Sequence, residues 1–138
     1  AEDRIKYTAV DPANGNPIEV QQIAGIPITY IWGYNKTLPI AKIENATYAQ
    51  VQQYEANLQT LSNGSDETNF LAALSNLRTA LPNAMVTTYT YKPSVGVSTI
   101  TDSKGNRISY HYDGFNRLEF VKDKDGNILS ENKYHYKN

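Results

Sequence analysis

The sequence predicts a mainly β, α+β fold, with antiparallel β-hairpins repeated along the chain and one inserted α-helical hairpin packed on the sheet. Three observations predict it. The segment from Tyr91 matches the segment from Tyr112 at a shift of 21 residues, short β-forming runs alternate with Asp, Asn and Gly turn signals, and between residues 45 and 84 the apolar spacing changes to three and four. At 138 residues one domain is expected, made of N-terminal β-repeats over 1–44, a helical hairpin over 45–84 and C-terminal β-repeats over 85–138.

In the N-terminal part, Ala13-Asn14-Gly15-Asn16 reads as a turn and Ile18-Glu19-Val20 as the start of a strand. Another unit opens at Trp32. Laying Trp32 on Tyr112 puts Leu38 on Leu118, Ile40 on Phe120 and Lys42 on Lys122, after which the expected Asp-x-x-Gly-Asn turn is missing. An insertion replaces it.

Thr47 followed by Gln50 has capping-box spacing, and Tyr48, Val51, Tyr54, Leu58 and Leu61 then recur at three and four residues up to Asn63-Gly64. A second helix is predicted from Ser65 or Asp66, with Phe70, Leu74, Leu77 and Leu81 on one face and Pro82 as its stop. The short link favours an antiparallel pair lying on the sheet.

The C-terminal part carries the clearest repeat. Tyr91 falls on Tyr112, Val97 on Leu118, Ile100 on Val121, Asp102 on Asp123, Gly105-Asn106 on Gly126-Asn127 and Ile108 on Leu129. Lys104-Gly105-Asn106 and Asp125-Gly126 supply positive-φ turns between β-forming runs. Asn116, before Arg117, is placed to take the same backbone role, because Asn tolerates the left-handed region.

Composition narrows the function classes. The net charge of -1 gives no cationic surplus for phosphate backbones, so nucleic acid is not an expected partner. No apolar stretch approaches the roughly 20 residues of a spanning helix, and the chain does not open on a basic-then-apolar pattern, so a soluble chain is expected. The absence of Cys removes thiolate nucleophiles, disulfides and Cys-based zinc sites. The 11 Tyr, against 3 Phe and 1 Trp, suit half-exposed sheets and interfaces better than a deep core.

Tyr112-Asp113-Gly114-Phe115-Asn116-Arg117-Leu118, followed by Asp123-Lys124-Asp125-Gly126-Asn127, resembles the unit of the YD-repeat or RHS-repeat family. The likeness is close over residues 85 to 138 and looser over 1 to 44. It implies a β-sheet shell or stalk built of many such units, within a longer bacterial surface or secreted protein. On that resemblance Asp113, Asn116, Arg117, Asp123, Gly126 and Asn127 are turn and motif residues. The chain departs from the pattern where Asn116 stands in place of the usual glycine, and where Tyr91-Lys92 and Trp32-Gly33 replace Tyr-Asp. The Asp-Pro-x-Gly-Leu type motif of self-cleaving members has no counterpart, because Asp11-Pro12 continues as Ala13-Asn14-Gly15.

Few residues suggest chemistry. His111 and His135 are flanked by Tyr at equivalent strand positions and could hold a metal together, yet two imidazoles without a matching carboxylate are better read as cross-strand packing. That packing puts Tyr110, Tyr112, Tyr134 and Tyr136 on the opposite face as an aromatic ladder. Asp123 and Asp125 lack the closing Glu of a calcium loop and are read as turn formers. No nucleophile elbow or phosphate loop occurs, so neither an enzyme nor a cofactor is expected.

Tyr30, Trp32 and Tyr34 alternate along a strand and are expected on one face beneath the helices. The expected function is a non-catalytic structural or interaction segment at the cell surface or in the medium. Its partners would be other repeats of a parent chain, another protein, or a second copy joined through sheet edges. The alternative is a carbohydrate-binding module using surface Trp32 and the tyrosines.

Overall fold

The computed structural model describes residues 5–22 and 25–133. Nine strands and two helices occur among them: β1 (Ile5–Val10), β2 (Pro17–Gln22), β3 (Pro27–Gly33), β4 (Leu38–Glu44), α1 (Tyr48–Ser62), α2 (Glu67–Ala80), β5 (Met85–Lys92), β6 (Gly96–Thr101), β7 (Arg107–Tyr112), β8 (Leu118–Lys122) and β9 (Ile128–Glu131). The strands neighbour one another in chain order, β1 to β9. Hairpin connections give that order directly, and the helical pair occupies the connection between β4 and β5. The chain divides into two units within β5, residues 1–88 and 89–138.

In the first unit the helices start and stop where local chemistry dictates. Thr47 caps α1, and Gln50 Oε1 accepts its backbone N–H at 2.9 Å, the returning arm of a capping box. Asp66 caps α2 by accepting the Asn69 N–H at 3.0 Å. The second helix ends at Ala80, with Leu81 as its cap before Pro82. Val51 and Leu58 of α1 and Phe70, Leu74 and Leu77 of α2 are buried. They pack the core with Ile31, Ile40, Ala41, Ile43 and Val86 of the sheet.

Register decides which strand residues join that core. Thr29 pairs with Ile43 and Ile31 with Ala41, while Val86 pairs with Ile43 and Thr88 with Ala41. All of these are buried, so they share one face. The face under the helices therefore carries Thr29, Ile31 and Gly33, which corrects the expectation that Tyr30 and Trp32 would occupy it, whereas Tyr34, in the turn beyond β3, does meet Phe70 of α2. A Cβ on Gly33 would lie 2.7 Å from Ser62 Oγ and 2.8 Å from Ile40 Cγ2, so the absence of a side chain admits the end of α1. Tyr30 and Trp32 alternate to the other side of β3 and are half-buried.

The second unit is a run of hairpins. Thr99 pairs with Ser109 and Thr101 with Arg107; Tyr110 then pairs with Val121 and His111 with Phe120, and Val121 with Ser130. Its buried positions include Thr90, Thr99 and Thr101, and the hydroxyls of Thr90 and Thr99 share a hydrogen bond of 2.6 Å. All four residues of β9 are exposed.

Candidate functional site

The turn between β3 and β4 is built of three consecutive left-handed residues, Tyr34 (φ 52°), Asn35 (φ 58°) and Lys36 (φ 61°). None is glycine, and each such residue costs roughly 1 kcal/mol or more. Contacts from elsewhere in the first unit hold it. Ser62 Oγ accepts the Tyr34 N–H at 2.9 Å, Asn63 Oδ1 accepts the Asn35 N–H at 3.0 Å, and Asn16 Nδ2 donates to the Lys36 carbonyl at 2.7 Å. Tyr34 also meets Phe70 edge-on, with ring centroids 6.2 Å apart.

This turn stands over two clefts beside α1. A cleft of about 180 Å³ has Pro12, Ile18 and Trp32 as apolar lining and Asp11, Lys36, Tyr48, Glu55 and Gln59 as polar lining. A larger one, about 430 Å³, is lined by Asn35, Lys36, Ala56, Gln59, Thr60 and Asn63. Lys36 and Gln59 line both. Gln59 Nε2 donates to the Trp32 carbonyl at 2.9 Å, and the Trp32 indole N–H donates to the Pro17 carbonyl at 2.8 Å. Gln59 thus ties α1 to the backbone of β3, and the indole is tied to β2.

Charges in the smaller cleft are set by neighbours. Tyr48 donates its hydroxyl to Glu55 Oε1 at 2.7 Å, and this bond to a carboxylate, with burial, pushes the phenol up to about 12. Asp11 is held below the usual carboxylate range by the backbone N–H of Ala13 and by Lys36, whose Nζ lies 3.4 Å away. At neutral pH the cleft holds a neutral Tyr48 phenol and an ionised Asp11.

In the second unit a single turn design recurs. Asp102, Asp113 and Asp123 each accept, through Oδ1, the backbone N–H groups two and four residues on, at 2.8 to 3.0 Å. Each Asp N–H returns to the carbonyl four residues on, and the residue three on takes positive φ: Gly105 (87°), Asn116 (61°) and Gly126 (85°). Asp11 heads a version one residue longer, with Gly15 at φ 76°. All four carboxylates are lowered. The Asn106 and Asn127 backbone N–H groups dominate at Asp102 and Asp123. At Asp113 desolvation pushes upward and is outweighed by the Arg117 side chain and the N–H groups of Arg117 and Phe115. Arg117 Nε bonds Asp113 Oδ2 at 3.0 Å, and its guanidinium lies over the Phe115 ring.

The remaining singled-out residues scatter. Tyr112 is half-buried and donates its hydroxyl to the Val97 carbonyl at 2.7 Å, which leaves it poorly placed as a surface platform. Tyr110 faces Val121 across the strands, so the described cross-strand partner is aliphatic. His111 is exposed and lies against Phe120, ring centroids 4.7 Å apart. Tyr134, His135 and Tyr136 lie outside the described residues. Among the described residues no group of three or more His, Asp or Glu is gathered as a metal ligand set.

Sequence reasoning did not single out Asn35, Lys36, Tyr48, Glu55, Gln59 and Asn63 as a group. The available signal was the polar row Glu55, Gln59 and Asn63 at a spacing of four along α1. No protein-family model matches the chain, and no curated protein matches it.

Proposed function

We propose that the chain is a non-catalytic structural and interaction segment of a bacterial cell-surface or secreted protein of the YD-repeat or RHS-repeat type. The observation that carries this reading is the Asp-headed turn, which recurs at Asp102, Asp113 and Asp123 with the same hydrogen bonds each time. Each turn satisfies its own backbone groups within five residues, so a further hairpin can be added without altering those already formed. The natural partners of such a sheet are further repeats of the same polypeptide, another protein, or a second copy meeting it edge to edge.

An immunoblot of fractionated source cells, with an antibody raised to this chain, tests the reading. The expected band lies far above 15.5 kDa, in the envelope or the medium. A band near that mass confined to the cytosol would overturn it.

A further inference from the structure

We infer that the two clefts beside α1 form one groove that binds a neutral, hydroxyl-rich chain, an oligosaccharide, with Trp32 among the residues lining its smaller part. This inference uses residues of the first unit and does not depend on the repeat reading.

The groove is continuous in its lining, because Lys36 and Gln59 belong to both clefts. Along α1 it runs from Tyr48 to Asn63, a length of roughly 22 Å at 1.5 Å per residue. An extended occupant suits that length. The floor residues Tyr48, Glu55, Gln59 and Asn63 lie near one another on the helix surface, at spacings of seven and four.

The hydrogen-bonding groups left over name the ligand class. Among the described residues, Gln59 Oε1, Glu55 Oε2, Asn63 Nδ2 and the side-chain amide of Asn35 have no hydrogen bond to the protein, although each residue's other groups are engaged. Donors and acceptors are therefore interleaved along the groove. A ligand hydroxyl, which both donates and accepts, satisfies such a row, whereas an anion would meet Asp11 and Glu55 and an apolar helix would bury the amides unpaired. The strained turn adds a second reason. Ser62, Asn63 and Asn16 hold Tyr34 to Lys36 in left-handed backbone, and that conformation is what sets Asn35 and Lys36 on the groove's rim.

Trp32 is the one tryptophan in the chain, so its emission reports on this groove alone. Titrating the whole chain with neutral tetrasaccharides of β-glucan, chitin and mannan is expected to shift that emission with at least one of them. The same sugar should move the backbone amide resonances of residues 55 to 63. Glu55→Gln and Asn35→Gly should each weaken that sugar about fivefold, the loss expected for one hydrogen bond, while both variants keep the folded circular dichroism spectrum. Tyr110→Ala, in the other unit, should leave the affinity alone. No shift in emission or resonances with any sugar at millimolar concentration would overturn the inference. So would binding of a lysine-rich peptide in place of every sugar, or binding that Tyr110→Ala abolishes and Glu55→Gln spares.

Discussion

The hydroxyl of Tyr112 occupies the space that a side chain on Gly96 would need: a Cβ there would stand 2.5 Å from it. The same hydroxyl donates to the Val97 carbonyl at 2.7 Å, so the tyrosine cannot withdraw without losing a bond. Gly96→Ala is expected to destabilise the second unit by about 1–3 kcal/mol, the usual cost of overpacking. Tyr112→Phe in the same chain should recover part of that loss. Urea denaturation of both single variants and the double variant measures the coupling, and strictly additive losses would refute the clash.

Asn116 holds a place in its turn that Gly105 and Gly126 hold in theirs. Asn116→Ala places an ordinary Cβ at φ 61° and should cost about 1 kcal/mol or more. Asn116→Gly should be close to neutral, because the backbone gain offsets the loss of the Lys92 Nζ contact at 3.1 Å. Equal midpoints for the two variants in urea would contradict this account.

The four Asp-headed turns tie stability to pH. Asp11, Asp102, Asp113 and Asp123 all have folded-state values below the ordinary one. Their contribution is present above the unfolded carboxylate value of about 4 and is lost as pH falls through the lower folded values. The melting temperature should fall below about pH 4. Asp102→Asn with Asp123→Asn should flatten that acid limb while leaving the turns able to cap, since an amide oxygen still accepts. An acid limb of unchanged steepness in the double variant would show that other groups cause it.

Tyr48 and Glu55 give an alkaline counterpart. The phenol ionises at about 12 in the folded chain, above the ordinary value of about 10. The stabilisation is complete below the unfolded value and disappears as pH rises through the folded one. Ultraviolet titration should find the Tyr48 phenol ionising late, with Tyr112 also raised by its burial and by Tyr110, and Glu55→Gln should lower the Tyr48 value by removing the carboxylate.

Much of the first unit's outline was legible because helix ends are local. Thr47 with Gln50, Asp66 and Pro82 bound the two helices within a residue or two of the predicted limits. The choice of strand face was not legible. Alternation in β3 offers two faces, and the bulk of Tyr30 and Trp32 pointed to the wrong one. The helices instead sit on Thr29, Ile31 and Gly33, where a missing side chain lets Ser62 approach. Nor could spacing reveal the groove. Lys36 meets Asp11 across 25 residues, and the row Glu55, Gln59, Asn63 looks like any solvated helix face until the turn stands over it. The buried threonines escaped for a related reason. A hydroxyl reads as solvent-facing unless its partner, as Thr99 is for Thr90, is already known.

The two kinds of turn also belong to different moments in folding. An Asp-headed turn closes on bonds spanning two to four residues, so its hairpin can form early, on the microsecond scale of isolated hairpins. The left-handed turn at Tyr34 to Lys36 waits for partners 20 and 28 residues away. Its strands can pair, but the turn reaches its final shape only when α1 docks. Mutations at Ser62 and Asn63 should therefore accelerate unfolding far more than they slow folding, while changes at Asp102 or Asp123 should act on the folding rate.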